Sequence, residues 1–368
     1  MHCCSGRPPL DGPRRGRLNS QGRTRLKPST PQTATLASEA LTMTGSPPSS
    51  PPQSPRTTAT AIQGHQAPQD QTVQVGELTL HPCDGVGGAQ KKFTSPEQPE
   101  KFYKTGPLDE AEKAAFFNLK LAAYTGEKTH FNGPPETKAL DLTSHKSDAN
   151  SPLHTASNKG LSLLEMDNLT HNASFASVTG SIDIKIFPAY DTKEFKANRG
   201  HRKKKRERVQ LAAEEKFGFK FQDGGKFQKL FGAYKSSGAM ENFFNTLAEE
   251  AALEEEDLTR TASIQKQLID DFLIAVSQAK SFIEATDFIP LGMSLMPVVT
   301  KTDDPDKPYQ LSLNAIDPDH LMAKEGDSSA GSNIYLTSDT NLTQKKNKMT
   351  ENLQKLYNFV EQSNLASD

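Results

Sequence analysis

Tryptophan is absent from this 368-residue chain, and hydrophobic residues make up only 34% of it. Globular domains usually contain about 45–50% apolar residues on a similar count. A chain with so few apolar side chains cannot bury a core along its whole length, and polar stretches of this kind stay unfolded. The composition therefore predicts a folded part and a long disordered part.

Cysteine is also scarce, with only Cys3, Cys4 and Cys83 in the chain. An odd number, confined to the first quarter, supplies neither a disulfide framework nor a set of four zinc ligands. The N-terminus lacks the apolar run of a secretory signal, and the longest mainly apolar stretch, residues 288–299, is too short and broken to span a bilayer. We therefore expect a nuclear or cytoplasmic protein with no membrane span, metal or cofactor.

Proline and phenylalanine divide the chain. Ten of the 24 prolines lie in the first 60 residues and none lies between Pro188 and Pro290, where 11 of the 19 phenylalanines are found. Proline depletion permits continuous helix, and phenylalanine supplies surface for a core. We therefore predict an α+β fold: a small, mostly helical module with a few short strands at residues 181–368, preceded by a disordered arm rich in Ser, Thr and Pro at residues 1–104.

Two further segments separate the predicted arm from the module. Residues 105–126 favour a helix, because Asp109 and Glu110 suit its first turn and Gly126 its end. No neighbouring segment is predicted to pack against this helix, so we expect it to be isolated and amphipathic. Residues 127–180 are polar and contain several prolines, and we interpret them as a linker.

Within the module, periodicity predicts the main elements. Alternation at residues 181–187 indicates a half-buried strand. Apolar residues at helical spacing predict a central helix at residues 263–285 and a C-terminal helix at residues 342–362. Short strands are expected at residues 293–301, 309–316 and 333–338.

The strongest local signal is a basic run at residues 199–208. Seven of its ten residues are cationic, namely Arg199, Arg202, Lys203, Lys204, Lys205, Arg206 and Arg208. Such a run suits the acidic grooves of import receptors or the phosphates of nucleic acid. Interleaved Phe and Lys extend the nucleic-acid interpretation over residues 199–235. Residues 241–257 contain acids but no bases, however, so the two blocks could instead pair within the fold. The sequence leaves both interpretations open.

Motifs for catalysis are missing. The chain contains no phosphate loop, no Gly-x-Ser-x-Gly and no His-Glu-x-x-His. His320 has aspartates beside it in the chain, but we assign it to a surface loop. Candidate phosphorylation sites are Ser50 and Ser54, which precede proline, and Ser263, which follows Arg260 by three residues at the predicted cap of the central helix.

The formal net charge of −2 excludes a uniformly basic nucleic-acid coat. No segment resembles a family with a known function. The sequence therefore favours a non-enzymatic intracellular interaction or regulatory protein with protein partners, whose basic run serves nuclear import or contacts nucleic acid. The alternatives are a secreted bacterial effector with a disordered export arm and, third, a small enzyme with an unrecognised site.

Overall fold

A computed structural model describes much of the chain from residue 72 onward. The described residues are 72–83, 91–124, 130–142, 153–175, 182–187, 216–223, 232–318, 320–327, 330–331 and 333–365. All of them belong to one compact unit that spans Ile62–Asp368. None of the described helices combines the length and the apolar character that crossing a bilayer requires.

The described residues form fourteen strands and five α-helices. The strands are β1 (Val73–Val75), β2 (Leu78–Pro82), β3 (Lys92–Ser95), β4 (Gln98–Gly106), β5 (Phe131–Asn132), β6 (Thr137–Leu140), β7 (Ser162–Asp167), β8 (Ile182–Ile186), β9 (Phe219–Asp223), β10 (Phe288–Pro290), β11 (Ser294–Lys301), β12 (Tyr309–Ile316), β13 (Leu321–Lys324) and β14 (Tyr335–Thr337). The helices are α1 (Asp109–Tyr124), α2 (His154–Asn158), α3 (Gly232–Glu254), α4 (Thr261–Ala285) and α5 (Asp339–Leu365).

The first lobe is a six-stranded antiparallel sheet with the order β1-β2-β3-β4-β7-β6. The turn between β1 and β2 consists of Gly76 and Glu77, and Gly76 has a φ of 62°, which suits the tight turn of a hairpin. One face of the sheet buries a small core made of Val73, Leu80, Phe93, Tyr103, Leu142, Leu153 and Leu163. A sheet that buries one face needs few apolar residues.

The second lobe contains a five-stranded sheet with the order β5-β12-β11-β8-β9 and a three-stranded sheet with the order β10-β13-β14. Helix α4 packs on β12, and α3 and α5 pack against α4. Helix α1 follows the first lobe in the chain but contributes Phe117 to the second core, where its ring lies 5.4 Å from that of Phe282 and 5.5 Å from that of Phe288. Because α1 follows β4 directly, it couples the two lobes.

The predicted fold class is wrong. The molecule is a two-lobed α+β fold dominated by antiparallel sheets, not a small and mostly helical module with a few short strands. Several strands escaped notice because they are short and carry charged side chains on one face. The strands of the first lobe add a second reason, since each contributes only one or two apolar side chains to the core.

The expected segment boundaries also differ from the observed elements. Four strands lie within Val73–Gly106, largely inside the stretch assigned to the disordered arm, and residues 130–175 contain strands and a helix where we expected a linker. The helix expected at residues 105–126 is observed at Asp109–Tyr124, where it packs against the second core instead of being isolated. Composition averaged over long windows hides elements of this kind, because the residues between them dilute the apolar signal.

The central helix predicted at residues 263–285 is observed at Thr261–Ala285, and the predicted apolar stripe is buried. The alternating strand at residues 181–187 is β8, whose Ile184 and Ile186 are fully buried. The predicted strand at residues 309–316 matches β12, and the C-terminal helix predicted at residues 342–362 lies within α5. The apolar residues of these elements recur with a strong period, which is the main signal for secondary structure in a single sequence.

Phe272 on α4 is fully buried, and its ring meets that of Phe244 edge to face at 5.6 Å. We predict that Phe272→Ala lowers the free energy of unfolding by about 3–5 kcal/mol, the usual cost of removing a core aromatic. Ile274, two residues further along the helix, is 44% exposed and provides the control. Ile274→Ala should change the free energy of unfolding by less than about 0.5 kcal/mol. Urea unfolding measures both, and equal midpoints for the two variants would contradict the prediction.

Candidate active site

A cluster of charged side chains lies where the two lobes meet. It consists of Lys92, Lys104, Glu110, Asp183, Lys185, Lys220 and Asp317, which we call the lysine–carboxylate cluster. Its members come from β3, β4, α1, β8, β9 and the residue that follows β12. The cluster therefore forms only when both lobes and α1 are assembled.

Lys104 is the centre of the cluster. It follows Tyr103 on β4, and because side chains alternate along a strand, the tyrosine enters the core of the first lobe while the lysine points the other way. The Lys104 side chain is only 6% exposed; its Nζ forms ion pairs with Glu110 on α1 and, at 2.6 Å, with Oδ1 of Asp317. One buried ammonium thus joins β4, α1 and the end of β12.

Two pairs of lysines face each other across neighbouring strands. Lys92 on β3 is the register partner of Lys104 on β4, and Lys185 on β8 is the register partner of Lys220 on β9. Like charges directly opposite each other destabilise a strand pair. Each lobe therefore contributes one opposed lysine pair to the cluster, and the carboxylates of Glu110, Asp317 and Asp183 offset part of the repulsion.

Strand β8 presents a polar face to the cluster. Asp183 and Lys185 share that face, while Ile184 and Ile186 enter the core from the other. Ser294 on β11 is the register partner of Lys185 and is 1% exposed. Oδ1 of Asp183 and Oγ of Ser294 are both buried, and the Ser294 hydroxyl lies close enough to the Asp183 carboxyl to stabilise its charged form.

Asp317 occupies an unusual backbone position. Its φ is 52°, in the left-handed region that few residues other than glycine adopt. Its side chain is 49% exposed, whereas Lys104 and Glu110 are almost completely buried. Such backbone strain persists where the surrounding structure fixes it, often at functional sites. The cluster is therefore open to solvent on the side of Asp317.

The electrostatics of the cluster follow from burial and close charges. The protein around the half-exposed Asp317 carboxylate removes part of its hydration, which would raise its pKa, but the Lys104 ammonium, helped by Lys185 and Lys92, holds it below its ordinary value. Burial would lower the pKa of Lys104, but Asp317 and Glu110 hold it above its ordinary value. Burial lowers the pKa of Lys92 and raises the pKa of Asp183. Lys104 and Asp317 are thus charged at neutral pH, while Lys92 and Asp183 are easier to neutralise.

His320 lies beside the cluster. The sequence analysis assigned it to a surface loop, but it is partly buried. Burial lowers its pKa to about 4, and the nearby Lys113 and Lys185 act in the same direction. Lys113 itself pairs with Asp109 at 2.7 Å along α1. The neutral imidazole is therefore the form present at physiological pH.

Of the site residues proposed from the sequence, the structure describes Ser263 alone. The basic run with Arg199, Arg202, Lys203, Lys204, Lys205, Arg206 and Arg208 falls outside the described residues, as do Ser50 and Ser54. Their roles therefore stay predictions. Ser263 is exposed, but it lies in the first turn of α4 rather than at its cap, and its hydroxyl donates to the carbonyl of Arg260 at 2.8 Å.

Part of the acidic block at residues 241–257 already has local partners. Glu254 and Glu255 both pair with Lys301 at 3.2 Å, and Asp257 accepts from the hydroxyl and the amide of Thr259. The pairing of this block with the basic run stays a prediction.

Sequence reasoning missed the lysine–carboxylate cluster, and of its members only Lys220 lies in a segment, residues 199–235, that was interpreted as a ligand contact. A usable signal was present at Asp183 and Lys185, which alternate with isoleucines in a strand that we did predict, so that two opposite charges share its polar face. A second signal was Asp317, directly after the apolar strand β12. The lysines of β3 and β4 gave no such signal, because lysines are common on exposed strand faces.

We predict that His320 contributes to the acid sensitivity of the fold. Between its ordinary pKa of 6.5 and about 4, the unfolded chain binds a proton that the folded chain does not. Stability conferred by neutral His320 is therefore complete above pH 6.5 and falls as the pH drops toward 4.

His320→Gln should flatten the loss of stability between pH 6.5 and 4, as measured by urea midpoints at several pH values. His171, an exposed histidine in a turn, provides the matched control, and His171→Gln should follow the parent curve. Parallel curves for His320→Gln and the parent would contradict the assignment.

Comparisons with known proteins find no matching protein family and no matching curated protein. One solved structure that the chain is similar to is the inositol phosphate multikinase Ipk2 from S. cerevisiae, determined in complex with ADP and Mn2+. The TM-score is 0.33 and the identity 14%, over 56% of this chain and 85% of that one. We expected a non-enzymatic interaction protein, whereas this solved structure is that of an enzyme. Similarity this low does not transfer the ligands or the activity of that enzyme to this chain.

Proposed function

We propose that this protein is a phosphotransferase that uses a nucleoside triphosphate as its phosphoryl donor. The observation that carries the proposal is the position of Lys104, held by Glu110 of α1 on one side and by Asp317 after β12 on the other. An ion pair between a strand lysine and a helix glutamate, near an aspartate that can hold Mg²⁺, is the arrangement by which protein kinases position the phosphates of ATP. The proposal rests on this geometry and not on sequence similarity.

The surplus of lysines supports a phosphate ligand. Phosphoryl transfer is catalysed mainly by positioning the phosphates and neutralising charge that develops on them. Lys92 and Lys104 on one lobe, and Lys185 and Lys220 on the other, are opposed pairs that an anion would stabilise.

The carboxylates suit the divalent cation that accompanies a nucleoside triphosphate. Mg²⁺ is usually held by one or two carboxylates together with phosphate oxygens and water. Asp317 is half-exposed and Asp183 lies near it in the cluster, so the two carboxylates can offer oxygens to one cation. The described residues contain no group of three or more His, Cys, Asp or Glu that could hold a metal on its own, which fits a cation that arrives with its phosphates. When bound, the cation would neutralise the phosphate charge.

Lys104→Met tests the proposal directly. We expect this variant to lower MgATP hydrolysis, measured as phosphate release without an added acceptor, by about 10²–10³-fold, the usual loss when one donor to a transition state is removed. Lys101→Met is the matched control, because Lys101 lies on the same strand but pairs with Asp167 at 2.7 Å, away from the cluster. The control should keep the parent rate.

Lys104→Met also removes the ion-pair partner of buried Glu110, which costs about 3–5 kcal/mol and could prevent folding. Asp317→Asn avoids this difficulty, because the Asp317 side chain is half-exposed and the change keeps its shape. We expect Asp317→Asn to fold and to lose MgATP binding, measured by calorimetry. A parent chain that neither binds nor hydrolyses MgATP, or an Asp317→Asn variant with parental affinity and rate, would refute the proposed function.

A further inference from the structure

Helix α5 buries an asparagine among apolar residues. Asn352 has no exposed surface, and its helix neighbours Met349, Leu353 and Leu356 belong to the second core. Its Nδ2 donates to the carbonyl of Phe187 at 2.9 Å, while its Oδ1 has no hydrogen-bond partner among the described residues. Burying an amide that is only half satisfied is unfavourable. Packing alone would therefore favour an apolar side chain at this position.

The backbone of the segment leading into β9 passes directly against Asn352. Gly218 has a φ of 75°, and a Cβ atom at this position would lie 2.6 Å from Cγ of Asn352. The amide of Phe187 donates to the carbonyl of Gly218 at 3.1 Å. Both backbone polar groups of Phe187 are thus fixed, its amide by Gly218 and its carbonyl by Asn352. Only a residue without a side chain at position 218 permits this contact.

This contact closes the β8–β9 pair next to its lysines. Phe187 lies two residues after Lys185, and Gly218 lies two residues before Lys220, the register partner of Lys185. Among the described strands, β9 is at the edge of its sheet and pairs with β8 alone. Repulsion between two ammonium groups, which the nearby Asp183 carboxylate offsets in part, tends to separate an edge strand from its neighbour. The hydrogen bond from Asn352 on α5 to the carbonyl of Phe187, at the end of the pair, opposes that separation.

We propose that Asn352 is a positioning residue, which holds the end of β8 and β9 so that Lys185 and Lys220 stay opposed and can bind one polyphosphate together. The inference rests on the proposed function in taking these lysines as phosphate ligands. Asn352 itself touches no ligand in this proposal. It acts through the backbone of Phe187 and the register of the two strands.

The experiment replaces Asn352 by leucine, which has a similar volume but no donor for the carbonyl of Phe187. Calorimetry with inorganic tripolyphosphate as the probe should show at least tenfold weaker binding, and hydrogen exchange at the Phe187 amide should become faster. Thr350→Val is the matched control, because Thr350 is also a buried polar residue of α5 but bonds only to Asn347 of its own helix. The control should keep the parent affinity. If Asn352→Leu does not fold, Asn352→Ser, which is too short to reach Phe187, is judged by the same measurements.

A second measurement separates positioning from general damage to the fold. In a Lys185→Gln background, Asn352→Leu should have little further effect on tripolyphosphate affinity, because residues that act through one another are not additive. Multiplicative losses, or parental affinity in Asn352→Leu alone, would overturn the inference. A parent chain that binds no tripolyphosphate would count against the proposed function instead. The exchange rate at Phe187 would then still decide whether Asn352 holds the strand end.

Discussion

The ion pairs of Lys104 with Glu110 and Asp317 are the constraint on which the rest of the structure depends. A buried ammonium is costly unless carboxylates compensate it, so the three side chains must come together for any of them to be buried. Lys104 belongs to the sheet of the first lobe, Glu110 to a helix whose phenylalanines pack in the second lobe, and Asp317 to the end of a central strand of that lobe. The alignment of the lobes is therefore coupled to the geometry of the site.

The second core supplies the rigidity that this arrangement needs. Helix α4 buries a continuous stripe against β12, and rings from α1, α4 and β10 meet in one cluster around Phe117, Phe282 and Phe288. Each ring pair adds about 0.5–1.5 kcal/mol beyond its area burial. Because α1 and β12 are anchored in the same core, Glu110 and Asp317 are both held beside Lys104. The position of the charges thus depends on apolar packing that is remote from them.

Carboxylates and contacts that fix the strands together offset the repulsion between the opposed lysines. The opposed lysines of β3 and β4 lie beside Asp317, which offsets part of their repulsion. The opposed lysines of β8 and β9 lie near Asp183, and Asn352 and Gly218 secure the end of that strand pair. A carboxylate therefore compensates each lysine pair in part, and backbone contacts add to this at β8 and β9. An anionic ligand would act on both pairs.

The sequence by itself determined the elements with strong periodicity. Helix α4, strands β8 and β12 and the C-terminal helix follow from the spacing of their apolar residues, because burial of one face imposes a period that is visible in a single chain. Only the tertiary structure decided the first lobe and the site. The strands within Val73–Gly106 each contribute so few apolar residues that the composition of this segment is typical of an unfolded chain. Their core exists only once the sheet has assembled. The cluster joins residues as distant as Lys104 and Asp317, which lie 213 positions apart in the sequence. No local pattern links two residues at that separation, because their attraction becomes strong only after folding has excluded water from between them.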